Sequence, residues 1–334
     1  MNARVSGIAG LLVAAAAAVA TPGCGSSPQQ HPSTTARTTA ASSSPTSTAR
    51  PRAAILAQAG TLGTLPEARS GIAAAVFGRT VVVSGGLSSA GVSTPTVFVF
   101  VPGRATRTAT GLPGPVHDAA ATEVAGRLLL FGGGPFEGSN RIVAVAPGTP
   151  HVIGSLPHAL SDLSAVTIGD RAYVVGGWNG TVTNAAIYAA TASGRVARAG
   201  QLPLGVRYPA AVALDGRLIV AGGETTSGRP TRRAWSFDPA SGKVTRLPDL
   251  PAATDHGMAA ALAGRVYLIG GLRDGSFTPA ILSWAPGETR WHPAGRLPWA
   301  IADAGAVAFD GGIAVIGGRD SAGTLASVIV LRVR

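Results

Sequence analysis

The sequence predicts an all-β fold, a six-bladed β-propeller with four-stranded blades. Two markers recur together along the chain, a Gly-Gly pair that ends a hydrophobic run and a Leu-Pro pair that precedes it. The Gly-Gly pairs begin at residues 85, 132, 176, 222, 270 and 317, and the Leu-Pro pairs at 65, 112, 156, 202, 250 and 297. Both series have spacings of 47, 44, 46, 48 and 47 residues. Two markers that share one period of this length are typical of propeller repeats rather than of shorter helical repeats.

Each repeat contains four short runs that are typical of strands. A polar link follows Leu-Pro and leads into a run of small residues, as in "AAAVF" and "AAVAL". A tight turn, often Gly-Arg, then leads into a β-branched run that ends at Gly-Gly, and two further runs follow. Small side chains suit a crowded inner strand, and the continuously apolar second run suits a strand buried on both faces. The Gly pair permits positive φ and close backbone approach, and no helix pattern follows it, so a phosphate-binding loop is disfavoured.

The two ends of the repeat array are expected to meet. The last repeat begins at Leu297 and has room for only three runs, while the apolar stretch 53–64 precedes the first Leu-Pro and has no repeat of its own. We expect residues 53–64 to pair with the strand around Ser327–Val333 as the fourth strand of the sixth blade. Such pairing would leave no open sheet edge there. Residues 53–334 are therefore predicted to be the propeller domain.

The N-terminus is predicted to direct export. Arg4 precedes a 13-residue apolar run, Ile8–Ala20, which falls short of the roughly 20 residues needed to span a bilayer. The following "TPGC" ends at Cys24 and resembles a bacterial lipoprotein signal. The resemblance implies a signal peptide at residues 1–23 and a lipid on Cys24 that anchors the chain to the outer face of the cytoplasmic membrane. Cleavage after Ala20, with simple secretion, is the alternative.

The remaining N-terminal residues and the charge pattern narrow the list of partners. Residues 24–52 are rich in Ser, Thr and Pro and are predicted to form a disordered tether, because they have almost no apolar surface to bury. The formal net charge is +11, but the arginines are scattered and form no basic stripe, so we expect no nucleic-acid partner. A single cysteine excludes an internal disulfide. We expect a monomer without a cofactor.

The repeats resemble the kelch family over residues 65–334. The features that carry the resemblance are the apolar run, the Gly-Gly pair and aromatic residues on the next two strands, such as Trp235 and Trp284 on the third and Trp291 on the fourth. These three tryptophans are expected to pack between blades. The resemblance implies ligand binding at one end of the propeller axis, where the links enter the inner strands. We call this end the mouth.

Polar residues fall in register in the links. Five and six residues past each Leu of the Leu-Pro markers lie Ser70-Gly71, His117-Asp118, Ser161-Asp162, Arg207-Tyr208, Asp255-His256 and Ala302-Asp303. Side chains alternate along a strand, so only one member of each pair can face the axis. We expect it to be the second member, because that register aligns three aspartates. Clustered carboxylates should raise one another's pKa values and favour a cation, an amine or a hydroxyl-rich ligand.

These residues favour a binding module for a protein or a glycan at the cell envelope. Variable loops on a fixed frame suit a binding role, and Trp178 and Trp299 could either stack on sugars or pack loops over the blades. The histidines and aspartates suit metal or acid–base chemistry, but no spacing singles out a metal site or a catalytic residue. The alternative is an envelope enzyme acting on a sugar, similar to kelch-like epimerases and oxidases. Copper-radical chemistry is excluded, because its Tyr–Cys crosslink needs a cysteine inside the domain.

Overall fold

The computed structural model describes residues 54–101, 103–134 and 138–334, which lie in one compact unit. The regular structure of these residues consists of β-strands, as the sequence predicts. The predicted signal peptide, Cys24 and the predicted tether lie outside the described residues. In the described ranges, no helix has the length and apolar character needed to cross a membrane.

The strands follow the predicted runs closely. Those of the N-terminal stretch and the first three repeats are β1 Leu56–Thr64, β2 Ala73–Phe77, β3 Thr80–Ser84, β4 Val97–Phe100, β5 Arg107–Ala109, β6 Ala120–Val124, β7 Arg127–Phe131, β8 Ser139–Ala146, β9 His151–Ile168, β10 Arg171–Trp178, β11 Ala186–Ala190 and β12 Val196–Gln201. Within each repeat, the strands pair antiparallel in chain order. The first strand of each repeat is the inner strand.

The C-terminal repeats have the same pattern with two added ribbons. Their strands are β13 Ala210–Leu214, β14 Arg217–Ala221, β15 Ala234–Asp238, β16 Lys243–Arg246, β17 Met258–Leu262, β18 Arg265–Ile269, β19 Leu272–Arg273, β20 Ser276–Phe277, β21 Ala280–Trp284, β22 His292–Arg296, β23 Gly305–Phe309, β24 Gly312–Ile316, β25 Arg319–Asp320, β26 Gly323–Thr324 and β27 Ser327–Val333. The short pairs β19–β20 and β25–β26 form in the loops directly after Gly-Gly.

Strand β9 departs from the prediction of separate four-stranded units. It runs for 18 residues through the Leu156-Pro157 marker, so its first half pairs with β8 and its second half with β10. The continuity arises because β8 is long enough for Ser139 to pair with Leu160, beyond the marker. Two repeats are thereby joined in one seven-stranded sheet, β12-β11-β10-β9-β8-β7-β6.

The N-terminal strand closes the array as expected. Strand β1 pairs antiparallel with β27 from Leu56, opposite Val333, to Thr64, opposite Ser327. The last repeat therefore has the order β23-β24-β27-β1, in which β1 supplies the outer strand. Leu56 also pairs in parallel with Gly295 of β22, which links this sheet to that of the preceding repeat. The predicted pairing is confirmed for Leu56–Thr64.

The hydrophobic core lies between neighbouring repeats. Each cluster of buried apolar residues draws its members from two consecutive repeats. The cluster containing Phe98 and Phe100 of the first repeat also contains Ile316 and Val328 of the last repeat, so apolar packing completes the circle. Burial of such large side chains contributes about 1.5–3 kcal/mol each. Each repeat thus depends on both of its neighbours.

The three tryptophans expected between blades are buried there. Trp235, Trp284 and Trp291 are 3%, 5% and 3% exposed. The ring centroids of Trp284 and Trp291 lie 6.1 Å apart, and the indole N–H groups of these two residues donate to the backbone carbonyls of Glu288 and Pro248. Their polar atoms are therefore satisfied within the packed interface, which is the usual state of a buried tryptophan.

A backbone hydrogen bond from each Gly-Gly pair joins one repeat to the next. The second glycine donates its N–H to a carbonyl just before the link pair of the following repeat, in the pairs Gly86–Val116, Gly133–Leu160, Gly177–Val206, Gly223–Thr254, Gly271–Ile301 and Gly318–Arg69, at 2.7–2.9 Å. The last pair returns to the first repeat. We call these contacts the inter-repeat bonds.

Glycine is required at these bonds because a Cβ would strike the neighbouring backbone. At Gly222, with φ +68°, a Cβ would lie 2.2 Å from the carbonyl oxygen of Thr254. Gly223, at φ +98°, has a conformation that L side chains rarely adopt, and its Cβ would meet the Arg207 carbonyl at 2.8 Å. This close approach is the physical reason for the recurring Gly-Gly marker.

Candidate functional site

The link residues meet at one end of the inner strands. Contacts between inner strands run from β2 to β6, β9, β13, β17, β23 and back to β2, so these strands surround a common axis. The second member of each link pair has a left-handed backbone, with φ between 49° and 59° for Gly71, Asp118, Asp162, Tyr208, His256 and Asp303. This conformation costs a non-glycine residue roughly 1–2 kcal/mol, so five of these six positions carry local strain.

Backbone hydrogen bonds connect these left-handed residues around the mouth. The N–H groups of Asp118, Asp162 and Tyr208 each donate to the carbonyl of the equivalent residue in the preceding repeat, at 2.8 Å. Gly71 donates to Asp303 at 2.9 Å, and Asp303 donates to His256 at 3.2 Å. At the remaining junction, the rings of Tyr208 and His256 stack with their centroids 3.7 Å apart. These contacts fix the positions of the side chains at the mouth.

A cavity of about 170 Å³ lies on the axis beneath this circle. Its polar wall consists of the second link members Asp118, Asp162, Tyr208, His256 and Asp303, together with Gly71. Small residues at the start of the inner strands, such as Ala73 and Ala120, form the apolar wall. This is the register that the sequence predicts. Further along the same strands, a second cavity of about 410 Å³ continues the axial space.

The first link members are directed away from the axial cavity. Ser70, Ser161 and Asp255 are buried, His117 shares a 2.7 Å hydrogen bond with the hydroxyl of Ser93, and Arg207 binds Glu224. Each lies beside the residue that follows a Gly-Gly pair, through backbone pairings such as Arg207 with Glu224. The predicted binding residues Ser70, His117, Ser161, Arg207 and Asp255 therefore support the mouth from behind and do not line the axial cavity.

Two arginines behind the mouth are already engaged by carboxylates. The guanidinium of Arg207 donates through both Nε and Nη2 to Glu224 Oε1, and its Nη1 lies 3.7 Å from Asp162 Oδ2. Arg319 donates to Asp303 through Nε. Such charge-assisted bonds are among the stronger hydrogen bonds in proteins. Neither arginine lines the axial cavity, so the charges that face it are mainly negative.

Aromatic contacts hold one side of the mouth. The Arg207 guanidinium lies 5.1 Å from the ring centre of Trp178 and 5.4 Å from that of Tyr208, whose ring stacks on His256. Trp178 thus contacts a residue behind the mouth and does not line the axial cavity. Trp299 packs against the core between the last two repeats, which favours the loop-packing interpretation of this residue over sugar stacking.

The three carboxyl groups in the cavity have different surroundings. Burial, together with the charges of Asp303 and Asp162, raises the pKa of the Asp118 carboxyl to about 7, against the weaker opposing effects of His256 and Arg319. Burial also raises the pKa of Asp162, although Ser161, Arg207 and Tyr208 oppose the shift. Among the residues that the structure describes, Asp118 has no arginine partner, and its nearest basic group is Nε2 of His117, 3.9 Å away. It is therefore the least compensated of the three.

The neighbouring rings also have shifted pKa values. Burial lowers the pKa of His117, which keeps that imidazole neutral. Burial opposes protonation of His256, but Asp255 and Asp303 overcome this effect and raise its pKa. His256 Nδ1 lies 3.3 Å from Asp255 Oδ1 without the alignment of a hydrogen bond, so we attribute this part of the shift to charge attraction. Burial and the three mouth aspartates raise the pKa of Tyr208, so its phenol stays neutral.

The mouth does not form a metal site in the described residues. No three His, Cys, Asp or Glu side chains within those ranges are arranged to hold a metal ion. Two of the three mouth carboxylates lie next to arginines, Asp162 next to Arg207 and Asp303 next to Arg319. The arrangement forms a small cavity, largely shielded from water, whose wall carries hydrogen-bond acceptors.

Of the residues directly after the Gly-Gly pairs, the predicted binding set includes Trp178 but not Glu224 or Arg319. Glu224 follows Gly223 and binds Arg207, while Arg319 follows Gly318 and binds Asp303. Their fixed position relates them to the link pairs, because the residue after Gly-Gly pairs across the backbone with the first link member in most repeats. Charged residues at that position therefore lie next to the mouth.

Comparisons with known proteins agree with the repeat architecture. Residues 206–251 match the model of the Kelch motif family. The solved structure of YjhT is similar over 82% of this chain and 97% of that chain, with a TM-score of 0.73 and 17% sequence identity. At this identity the likeness concerns the fold, and the two findings together support the kelch-repeat β-propeller expected from the sequence. No curated protein matches the chain.

We predict that Asp118 makes the stability of the unliganded protein depend on pH. The pKa of Asp118 is about 7 in the folded state and ordinarily 3.8, so between pH 3.8 and pH 7 the folded state binds more protons than the unfolded state. The free energy of unfolding therefore falls as the pH rises from 3.8 to 7. Asparagine tolerates the left-handed backbone, so Asp118→Asn removes the charge without disturbing this conformation. At pH 8 the free energy of unfolding of this variant should be about 2–4 kcal/mol higher than that of the wild type, and near pH 4 the two free energies should converge. Denaturant titrations across this range measure the difference, and a difference independent of pH would contradict the assignment.

Proposed function

We propose that this chain is a six-bladed kelch-type propeller that acts as a binding module at the cell envelope. Its ligand, part of a protein or a glycan, is proposed to bind at the mouth formed by the link residues. Export and a lipid anchor on Cys24 are part of this proposal and are inferred from the N-terminal sequence. The kelch motif and the propeller fold are the framework on which it rests.

Two circular sets of contacts support a count of six blades. The inter-repeat bonds run from each Gly-Gly pair to the next repeat and return from Gly318 to Arg69. The apolar clusters likewise connect each repeat with the next, and the cluster containing Phe98 and Val328 connects the last with the first. Each circle has as many members as the sequence has repeats. In this interpretation, β9 is shared between two blades, and β1 completes the sixth.

The observation that best supports the binding role is the excess of negatively charged side chains around the axial cavity. Among the described residues, three aspartates and one histidine are the charged residues of its wall. Of the two nearby arginines, Arg207 binds Glu224 outside the cavity, and Arg319 binds Asp303 in the wall. Placing like charges in a desolvated space is costly unless a ligand compensates them. Proteins retain such costly arrangements mostly at functional sites.

One feature favours an enzyme as a second candidate. A carboxyl group that titrates near neutrality is suited to general acid–base catalysis, and burial gives Asp118 such a pKa, about 7. In that case the mouth would act on a sugar of the envelope. Conversion of a bound ligand, followed by NMR, distinguishes the enzyme from the binding module, because a binding module returns the ligand unchanged.

The binding role predicts that mouth variants lose ligand while they keep their fold. The wild-type chain is immobilised and exposed to a panel of cell-envelope glycans and to a detergent extract of envelope proteins. Asp162→Asn and Asp303→Asn remove one acceptor charge each and should weaken retention of a bound component at least about tenfold, the effect of one charged hydrogen bond. Thermal melting checks that both variants remain folded.

Asp170→Asn is the matched control. Asp170 lies in the β9–β10 turn, beyond the end of β9 and away from Asp162, and is exposed. Its substitution should leave retention unchanged. If Asp162→Asn and Asp303→Asn retain every wild-type ligand with unchanged affinity, the mouth is not the binding site and the proposed function is wrong in its location.

The anchor is tested separately at Cys24. If Cys24 is lipidated, Cys24→Ala should move the protein from the membrane fraction to the soluble or secreted fraction, because a lipid chain is lost. Immunoblots of the fractions and the mass of the mature N-terminus measure this. Unchanged fractionation, with no lipid mass on the wild-type chain, would contradict the anchor and favour simple secretion after cleavage at Ala20.

A further inference from the structure

We propose that the axial cavity recognises a primary alkylammonium group, of the kind that ends a lysine side chain. The inference rests on the proposed function and assigns the chemistry of its ligand. It follows from the charges that face the cavity, from the Asp118 carboxylate, which accepts no hydrogen bond from the described residues, and from the size and lining of the space.

The charges around the cavity favour a cationic ligand. Asp118, Asp162 and Asp303 face the cavity, and His256 is the basic residue in its wall. An anionic ligand would need free donors, but Arg207 and Arg319 already donate to Glu224 and Asp303 and do not line the cavity. A ligand that enters with a positive charge compensates carboxylates that the protein itself leaves in excess.

One of these carboxylates, that of Asp118, accepts no hydrogen bond from the described residues, and its nearest basic group among them is His117 at 3.9 Å. The Asp162 side chain is only 6% exposed and lines the cavity. The hydroxyls of Ser161 and Tyr208 favour its ionised form as hydrogen-bond donors, while Arg207 lies 3.7 Å away, beyond hydrogen-bond distance. Carboxylates shielded from water normally accept several hydrogen bonds, so donors are missing at Asp118.

A primary ammonium supplies the missing donors. Each of its three N–H groups can donate to a different acceptor, and Asp118, Asp162 and Asp303 line the cavity from equivalent positions in three different repeats. A quaternary ammonium has no N–H groups and is usually held by free aromatic faces. Here the faces of Tyr208 are occupied by His256 and Arg207, so the site lacks an aromatic cage.

The size of the cavity selects a slender group. Its volume of about 170 Å³ is close to that of cavities that hold one benzene molecule. The entrance strands contribute Ala73, Ala120 and Ala210, whose methyl groups suit the methylene chain of an alkylammonium. A pyranose ring with its hydroxyl groups would fill the space and place polar groups against these methyls. An amino sugar is therefore the less suitable carrier of the same charge.

The test uses butylammonium chloride as the probe for the full-length protein. Calorimetry or NMR titration at constant ionic strength compares it with butan-1-ol, which lacks the charge, and with tetramethylammonium chloride, which lacks the N–H groups. Butylammonium should bind at least tenfold more tightly than either. Asp118→Asn and Asp162→Asn should each weaken its binding at least tenfold, whereas Asp170→Asn should leave it unchanged.

Further probes distinguish the possible carriers of the charge. Nα-acetyl-lysine methylamide should bind like butylammonium, and D-glucosamine should bind more weakly. Tighter binding of glucosamine would overturn the alkylammonium assignment in favour of an amino sugar. Calcium chloride that displaces butylammonium, with the same dependence on Asp118 and Asp162, would overturn it in favour of a metal site. Equal binding of tetramethylammonium, or binding unaffected by both mouth variants, would also overturn it.

Competition separates this inference from the proposed function. An envelope component whose retention depends on Asp162 but is not displaced by butylammonium would leave the binding module in place and overturn the ammonium assignment. In the converse outcome, butylammonium binds in a manner that depends on Asp162 while no envelope component is retained through Asp162. That outcome would support the ammonium site and contradict the proposed envelope ligand.

Discussion

The structure depends on the hydrogen bond from the second glycine of each Gly-Gly pair to a carbonyl of the next repeat. Each such bond, as from Gly223 to Thr254 at 2.8 Å, requires that two backbones meet with no Cβ between them. It fixes the distance and angle between neighbouring sheets, so the apolar faces of the strands can pack into the clusters between repeats. The bond from Gly318 to Arg69 applies the same constraint between the two ends of the array.

The same constraint determines the geometry of the mouth. The acceptor carbonyl lies just before the link pair, so the inter-repeat bond sets where each link begins. The second link member then takes a left-handed backbone, and its N–H reaches the preceding repeat. Side chains of Asp118, Asp162 and Asp303 are held near one another by backbone contacts that do not depend on their charge. The backbone therefore keeps these carboxylates close together in spite of their mutual repulsion, which would separate flexible side chains. A cationic ligand would relieve this repulsion.

The sequence predicts the frame better than the site, and the reason is physical. The period, the Gly-Gly pair and the small inner strands follow from steric demands that every repeat shares, and the pairing of Leu56–Thr64 with β27 follows from an unfilled strand position. The continuous strand β9 depends on the length of β8, which the markers do not encode. At the mouth, alternation predicts the register of the second members, but the partners Glu224 and Arg319 differ between repeats. Arg319 binds Asp303, whereas no described arginine binds Asp118, so the surroundings of these two carboxylates differ in a way that the repeat pattern does not encode.

The most direct test of the glycine constraint compares Gly222→Ala with Gly216→Ala. Both glycines lie in the same repeat with φ of +68° and +71°, so both substitutions cost the left-handed strain of roughly 1–2 kcal/mol. A Cβ at Gly216 meets no atom within 4 Å, whereas one at Gly222 would lie 2.2 Å from the Thr254 carbonyl that accepts the inter-repeat bond. In denaturant titrations, Gly222→Ala should lose at least about 2 kcal/mol more unfolding free energy than Gly216→Ala, from overpacking and the broken bond. Equal losses would contradict the dependence of the fold on this contact.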